Sequence, residues 1–174
     1  MFKELNILRI FFEEPSREFN VREVARILKI APATASKDLK HFSSKGILAK
    51  RKERILDLYK ANLDSELYKD IKIYYNIRKL KDSGFIEYLN EFYLKPAIVL
   101  FGSSALGTDT ETSDFDILVV SEKSKDIKNL EKYEQKIKKE VQIFAVKDIK
   151  DLKNPHLINS AINGIKLQGN IKWT

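Results

Sequence analysis

The stretch from Phe101 to Val120, FGSSALGTDTETSDFDILVV, constrains this chain more than any other. An apolar run, Ala97 to Leu100, leads into it, and a second apolar run begins at Ile117. The pattern predicts a strand running into Gly102-Ser103, a polar loop, and a returning strand that carries Asp114 and Asp116. Gly102 allows close backbone approach, Ser103 opens a helical turn whose amide N–H groups and hydroxyl can hold phosphate oxygens, and Gly107 lets the chain turn away. Ser113, beside Asp114, completes the candidate nucleotide-binding set of Gly102, Ser103, Gly107 and Ser113.

Two residues apart on a strand, Asp114 and Asp116 share a face, where like charges are costly unless a cation lies between them. Mg2+, with Mn2+ as the alternative ion, binds carboxylates together with substrate phosphates and meets that need. Two such ions would align an attacking hydroxyl and stabilise a leaving pyrophosphate. Phe115 should point the other way, into the core. The plainer reading is a Ser113-Asp114 turn cap and a solvated Asp116; two acids opening an otherwise apolar DFDILVV strand argue against it.

The remaining composition narrows the class. With 43% hydrophobic and 33% charged residues in 174, and no repeat or low-complexity tract, the chain suits one domain or two small ones. It has no cysteine, which excludes disulfides and cysteine-ligated metal sites and fits a cytoplasmic location. Met1 is followed by Phe2-Lys3-Glu4 rather than a leader, and no apolar run approaches the roughly 20 residues that span a bilayer, so no membrane partner is expected. Residues 1–63 hold 14 Lys/Arg against 8 Asp/Glu, and residues 64–174 hold 18 against 17. The basic excess therefore sits in the first third, which points to a polyanion partner for that segment.

Leu5, Leu8 and Phe12, flanked by Ile7 and Phe11, give a first helix one apolar face, closed by Pro15. Glu18-Phe19 predicts a brief strand. Asn20 is a helix N-cap with Glu23 as its capping-box partner, and Val21, Val24, Ala25 and Leu28 form the buried face of a second helix. A third helix starts at Pro32, buries Ala35, Leu39 and Phe42, and runs to about Lys45 with Gly46 as its cap. Its outward face carries Thr34, Ser36, Lys37, Lys40 and His41. Ile47 to Lys52 and Ile55 to Tyr59 then read as strands around the charged tip Arg51-Lys52-Glu53-Arg54.

This order of elements, with GILAKRKERILDLYKAN in the place of a wing, resembles the winged helix-turn-helix family. The resemblance implies that Thr34, Ser36, Lys37 and Lys40 read or position double-stranded DNA while Lys50, Arg51, Lys52 and Arg54 contact phosphates. A solvated helix face with a soluble hairpin tip is the alternative, and winged helices also serve as protein-protein modules. A connector follows over residues 64–93, read as two helices, Ser65 to Lys81 and Ser83 to Tyr93. Its stripe of Leu67, Ile71 and Tyr74, flanked by Tyr68 and Tyr75, serves either a homodimer seam or packing within the chain.

Gly102-Ser103, ten residues, then Asp114-Phe115-Asp116 matches the signature GSX10DXD, so residues from about Lys95 onward resemble the minimal nucleotidyltransferases of the DNA polymerase β superfamily. The resemblance implies an α+β fold: an N-terminal winged helix-turn-helix (1–63), the helical connector (64–93), and a nucleotidyltransferase domain (94–174) with a mixed sheet flanked by helices. It also implies an NTP substrate, ATP in the first instance, and Asp114, Asp116 and a third carboxylate as catalytic residues. Relatives include antitoxins that adenylylate a partner toxin, which places a protein acceptor such as a toxin among the implied partners, and drug-modifying enzymes.

Two positions depart from the family pattern. The strand that should carry the third carboxylate is EVQIFAV, Glu140 to Val146, where Gln142 occupies the aligned place. Glu140, two residues earlier and on the same face, is either its substitute or an exposed strand end. Leu106 stands where relatives often have arginine, leaving Lys95 or Lys166 to serve the phosphates. These departures keep open a second reading, a transcriptional regulator whose degenerate domain senses nucleotide without transferring it. The rest reads as scaffold: a helix over Ile127 to Lys139 with Leu130, Tyr133 and Ile137 inward, a Lys-rich surface over Lys125 to Lys139, a helix over Pro155 to Asn163 burying Ile158 and Ile162, and a last strand over Ile165 to Gln168. His156 reads as a surface or capping histidine.

Overall fold

The computed structural model describes residues 5–123 and 127–171. Met1 to Glu4, read above as lacking a leader, and Lys125, at the head of the Lys-rich segment, lie outside the described residues, as does the side chain of Leu5. The chain divides into two compact units, Met1–Lys72 and Ile73–Thr174.

In the first unit the order is α1 (Leu5–Glu13), β1 (Phe19–Asn20), α2 (Val21–Leu28), α3 (Pro32–Ser44), β2 (Leu48–Glu53) and β3 (Leu56–Ala61). The three strands form an antiparallel sheet in the order β1-β3-β2. Leu8, Phe11 and Phe12 of α1 are buried with Phe19, Val24, Leu39 and Tyr59, and Phe11 meets Phe19 edge to face at 5.2 Å. Each such side chain contributes about 1.5–3 kcal/mol on burial, so the apolar row of every helix is what holds it in place. Lys29, in the left-handed region, ends α2, and Pro32 opens α3 after an extended Ala31. Three residues thus join the helices.

Two local expectations differ in detail. Asn20 accepts from the Glu23 N–H as a cap should, but the Glu23 carboxylate is engaged by the Arg17 guanidinium. The hairpin tip is tighter than the charged run suggests: Glu53 pairs with Leu56, so Arg54-Ile55 makes the turn and Ile55 is 92% exposed. Arg54 takes φ 53° there.

The second unit holds most of α4 (Glu66–Asp82), followed by α5 (Phe85–Tyr93), β4 (Ala97–Phe101), α6 (Ser103–Leu106), β5 (Phe115–Val120), α7 (Glu131–Ile137), β6 (Val141–Val146), α8 (Pro155–Ile162) and β7 (Ile165–Gln168). The sheet order is β6-β5-β4-β7, with β5 and β6 parallel and the other pairs antiparallel. It is a mixed sheet with a helical layer on each face, so the chain is α+β. Alternation along the strands sorts the side chains: Ile98, Leu100, Phe115, Ile117 and Val119 pack with α5, whereas Val99, Phe101 and Leu118 pack with Ala161 of α8.

Helix α4 turns a different row inward than the apolar spacing suggests. Leu67 and Tyr74 are 45% and 40% exposed, while Tyr68, Lys72, Tyr75, Asn76 and Leu80 are buried. One residue of shift rotates a helix face by 100°, and two polar residues in the true row disguised it. Helix α7 is shorter than expected because Asn129 takes φ 62°, which interrupts the helix before Glu131. In α8 the buried residue is Ala161, and Ile162 is half exposed. A 3-10 turn over Ile149–Asp151, capped by Asp148, was not foreseen. Among the described residues no helix is long and apolar enough to cross a membrane.

Candidate active site

Strand β4 delivers Gly102 at one end of the sheet, and β5 starts at the same end because the two strands run antiparallel, Phe101 opposite Asp116. Gly102 has φ 70° and ψ −157°, a region essentially confined to glycine. The reason lies one strand away: a Cβ on Gly102 would overlap the Asp116 carboxylate, with Cγ only 3.2 Å distant. Backbone and carboxylate are therefore in direct contact, and the glycine is what lets the GS turn lie on the acid.

The single turn of α6 begins at Ser103 and is capped by Gly107, whose N–H donates to the Ser103 carbonyl and whose φ of 67° turns the chain away from the helix axis. Ser104, buried, donates from Oγ to the Asp114 carbonyl at 3.1 Å. Asp114 immediately precedes β5 and is exposed; Asp116, the second residue of β5, is half-buried. Burial first, and the charge of Asp114 second, push the Asp116 carboxyl above the usual carboxylate range. Ser113 serves the loop itself, its Oγ accepting from the Thr110 N–H at 2.9 Å.

On the other side of Asp116 the parallel pairing sets Gln142 of β6 directly alongside it. Glu140 lies one residue before β6, exposed, with its carbonyl accepting from the Phe115 N–H at 3.0 Å. By strand alternation it shares a face with Gln142. Among the described residues no group of three or more His, Cys, Asp or Glu is gathered closely enough to hold a metal ion. The donors at hand are two carboxylates and an amide oxygen. That set fits a divalent ion that takes its other ligands from phosphates and water, and the two effects that disfavour an ionised Asp116 are both relieved by a cation.

Leu106 is 62% exposed and lines a cleft of about 270 Å3 beside Gly102, together with Asn159 and Ser160 of α8 and Asn163 just past its end. A larger cleft, about 460 Å3, opens at the other end of the sheet around Lys95, Val120 and Lys147. Since β4 runs its full length between Lys95 and Gly102, about 3.4 Å per residue, Lys95 is too distant to replace a cation at the GS turn. Lys166 is on β7 opposite Val99, exposed, and directed to Asn170 at 3.4 Å.

Four residues tied to this turn were not singled out from sequence: Asn76, Ser104, Asp109 and Lys139. Asp109 is fully buried; its Oδ1 accepts from Asn76 Nδ2 at 2.9 Å and its Oδ2 from Lys139 Nζ at 2.5 Å. Asn76 Nδ2 also donates to the Ser104 carbonyl at 3.0 Å. The one signal for Asn76 was a poor helix former inside a long helix; Asp109, in a polar loop, carried none.

In the first unit, Thr34, Lys37 and Lys40 are exposed along α3 and Ser36 is half-buried. The hairpin cations divide in two. Arg51 is held by Glu18, at 2.6 and 2.5 Å, and by Glu53, while Lys50 is held by Asp57 at 2.8 Å. These contacts keep the Glu18 and Asp57 carboxyls below their ordinary values. Lys52 and Arg54 have no ion pair among the described residues and lie exposed at the tip.

Residues 82–162 match the family of the nucleotidyltransferase domain. The match spans the GS turn, both aspartates and Gln142, and supports nucleotidyl transfer in general as the chemistry of this part of the chain. No curated protein matches the sequence.

Proposed function

We propose that the second unit is a Mg2+-dependent nucleotidyltransferase that moves a nucleoside monophosphate from an NTP, ATP in the first instance, to an acceptor hydroxyl. The observation that supports the reading is the contact between the Gly102 backbone and the Asp116 carboxylate, which brings the GS turn against an acid able to take a cation. Asp114 and Asp116 would hold Mg2+ or Mn2+, and when bound the ions supply charge neutralisation for the triphosphate and the leaving pyrophosphate. Gly102, Ser103 and Gly107 shape the turn on which phosphate oxygens rest, and Ser113 holds the loop that delivers Asp114. In the transfer, the acceptor oxygen bonds to the α-phosphorus, the bond from that phosphorus to the bridging oxygen breaks, and pyrophosphate leaves. The acceptor's proton would pass to solvent water, since the amide of Gln142 cannot take it and Glu140, exposed before β6, is not gathered with Asp114 and Asp116. The acceptor class includes a partner protein such as a toxin.

The first unit is proposed as a winged helix-turn-helix that binds double-stranded DNA. Thr34, Ser36, Lys37 and Lys40 would face the major groove, and the tip cations Lys52 and Arg54 would meet phosphates first, because Lys50 and Arg51 already have carboxylate partners. A homodimer belongs to the same reading, as paired half-sites suit such domains.

Purified protein incubated with Mg2+, labelled NTPs and candidate acceptors should release pyrophosphate and label the acceptor, and Asp116→Ala should abolish both. Binding to DNA should weaken as salt rises, with a shallower slope for Lys52→Glu. One observation favours a second reading: Gln142, not a carboxylate, stands beside Asp116. If nucleotide binds without any pyrophosphate release, the chain is a DNA-binding regulator that senses nucleotide.

A further inference from the structure

The polar cluster beneath the GS turn joins parts of the site that the chain supplies from four places. Asp109, in the loop between α6 and β5, is fully buried, and the Lys139 side chain is 7% exposed. Their ion pair is completed on both sides: Lys139 Nζ also donates to the Thr110 carbonyl at 2.9 Å and lies 5.5 Å from the centre of the Phe115 ring. Asn76 bridges from Asp109 Oδ1 to the Ser104 carbonyl. Ser104 Oγ in turn holds the Asp114 carbonyl, and the residue after Lys139, Glu140, accepts from the Phe115 N–H. Apart from the two that meet on the Asp109 carboxylate, the links end on backbone of the GS turn, of the loop leading to Asp114, or of the first residue of β5 and the residue before β6.

We infer that Asn76, Asp109 and Lys139 are positioning residues that fix the GS turn and the two strand entries in the relation a metal-nucleotide complex requires. None of the three is placed to touch substrate. Their carboxylate, ammonium and amide act through the backbone atoms that carry Gly102, Asp114 and Gln142. A buried ion pair adds little stability beyond that of apolar groups of the same bulk, and removal of one member leaves an uncompensated charge. Geometry, rather than stability, is what this pair supplies. Groups that orient ligands in this way typically cost 10–100-fold in affinity or activity when removed.

The inference rests on the nucleotide reading for its consequence but not for its direct test. The full chain carrying both Asp109→Leu and Lys139→Met removes the charges together. The expected result is a thermal midpoint close to the parent's, Mg-ATP affinity at least about tenfold weaker by fluorescence anisotropy, and, in nucleotide-free protein, at least about tenfold faster hydrogen exchange at the Thr110, Ser113 and Phe115 amides. Parent-like affinity together with parent-like exchange overturns the inference. If the double variant does not fold, Asn76→Ala, which leaves the ion pair intact, is decided by the same readouts. A parent that binds no Mg-ATP defeats the nucleotide reading alone, and the exchange rates of the nucleotide-free proteins then decide the positioning role.

Discussion

Replacement of Gly102 by alanine should be far more damaging than replacement of an ordinary turn glycine, and the excess should depend on Asp116. At φ 70° and ψ −157° a side chain costs about 1–3 kcal/mol in backbone conformation. The new Cβ also lies 3.2 Å from Asp116 Cγ and closer still to Oδ2, so the carboxylate must move, an overpacking cost of about 1–3 kcal/mol. Together these predict a loss of about 2–6 kcal/mol. Gly84 provides the control in the same unit: its φ is 79° and no atom lies within 4 Å of a built Cβ, so Gly84→Ala should cost only the left-handed conformation, about 1–2 kcal/mol. With Asp116→Ala as background, only an ordinary contact to the Asp116 Cβ at 3.5 Å would have remained, and Gly102→Ala should become about 1–3 kcal/mol cheaper. Urea denaturation followed by circular dichroism, run on the four members of the cycle, measures that coupling. Additivity within about 0.5 kcal/mol would refute the contact between turn and acid.

Three further outcomes are expected. Because burial and Asp114 raise the Asp116 carboxyl, the folded chain keeps a proton that the unfolded chain has lost, between the ordinary value of about 3.9 and the raised folded value. Stability in the absence of metal therefore falls as pH rises through that window, and Asp116→Asn should remove this slope and stabilise the chain at pH 7; urea midpoints from pH 3 to 7 that retain the slope in the variant would contradict this. Gln142→Glu sets a carboxylate beside Asp116 on a neighbouring strand, which should lower metal-free stability by about 0.2–1 kcal/mol and enlarge the thermal shift produced by Mg2+; an unchanged Mg2+ response would count against the metal site. Tyr68→Phe removes the donor to the buried Phe11 carbonyl at 2.9 Å and should cost about 1–3 kcal/mol by urea denaturation, with a loss under 0.5 kcal/mol the contrary result.

Much of the second unit could be read directly because its strands obey simple alternation. DFDILVV declares a strand with Phe115, Ile117 and Val119 on one face and Leu118 on the other, although β5 starts one residue after Asp114. The third helix of the first unit was equally open, since Ala35, Leu39 and Phe42 repeat at helical spacing and Pro32 marks its start. Where the reading slipped, a polar residue occupied an apolar place or a non-glycine residue took a positive φ. Lys72 and Asn76 masked the buried row of α4, Asn129 stopped a helix that its neighbours would have continued, and Arg54 narrowed a hairpin tip. The polar cluster was the hardest to foresee. Its members stand at 76, 104, 109 and 139, with nothing periodic about them, and only the folded sheet brings them together.

The last strand of the sheet has a protective consequence. β4, AIVLF, is buried at every position, and a strand of that composition at the edge of a sheet would be a template for aggregation. It is interior only because β7 pairs along it, with the exposed Lys166 giving the new border a charge. The approach to that border is close: a Cβ on Gly164 would lie 2.6 Å from the Leu100 carbonyl oxygen, 2.7 Å from Val99 Cγ1 and 2.9 Å from Phe101 Cβ. Gly164, which lines the same cleft as Gly102, thus keeps the apolar strand covered. A larger residue there would lever β7 away, and the strand that carries the GS turn would become the one most prone to recruit other chains.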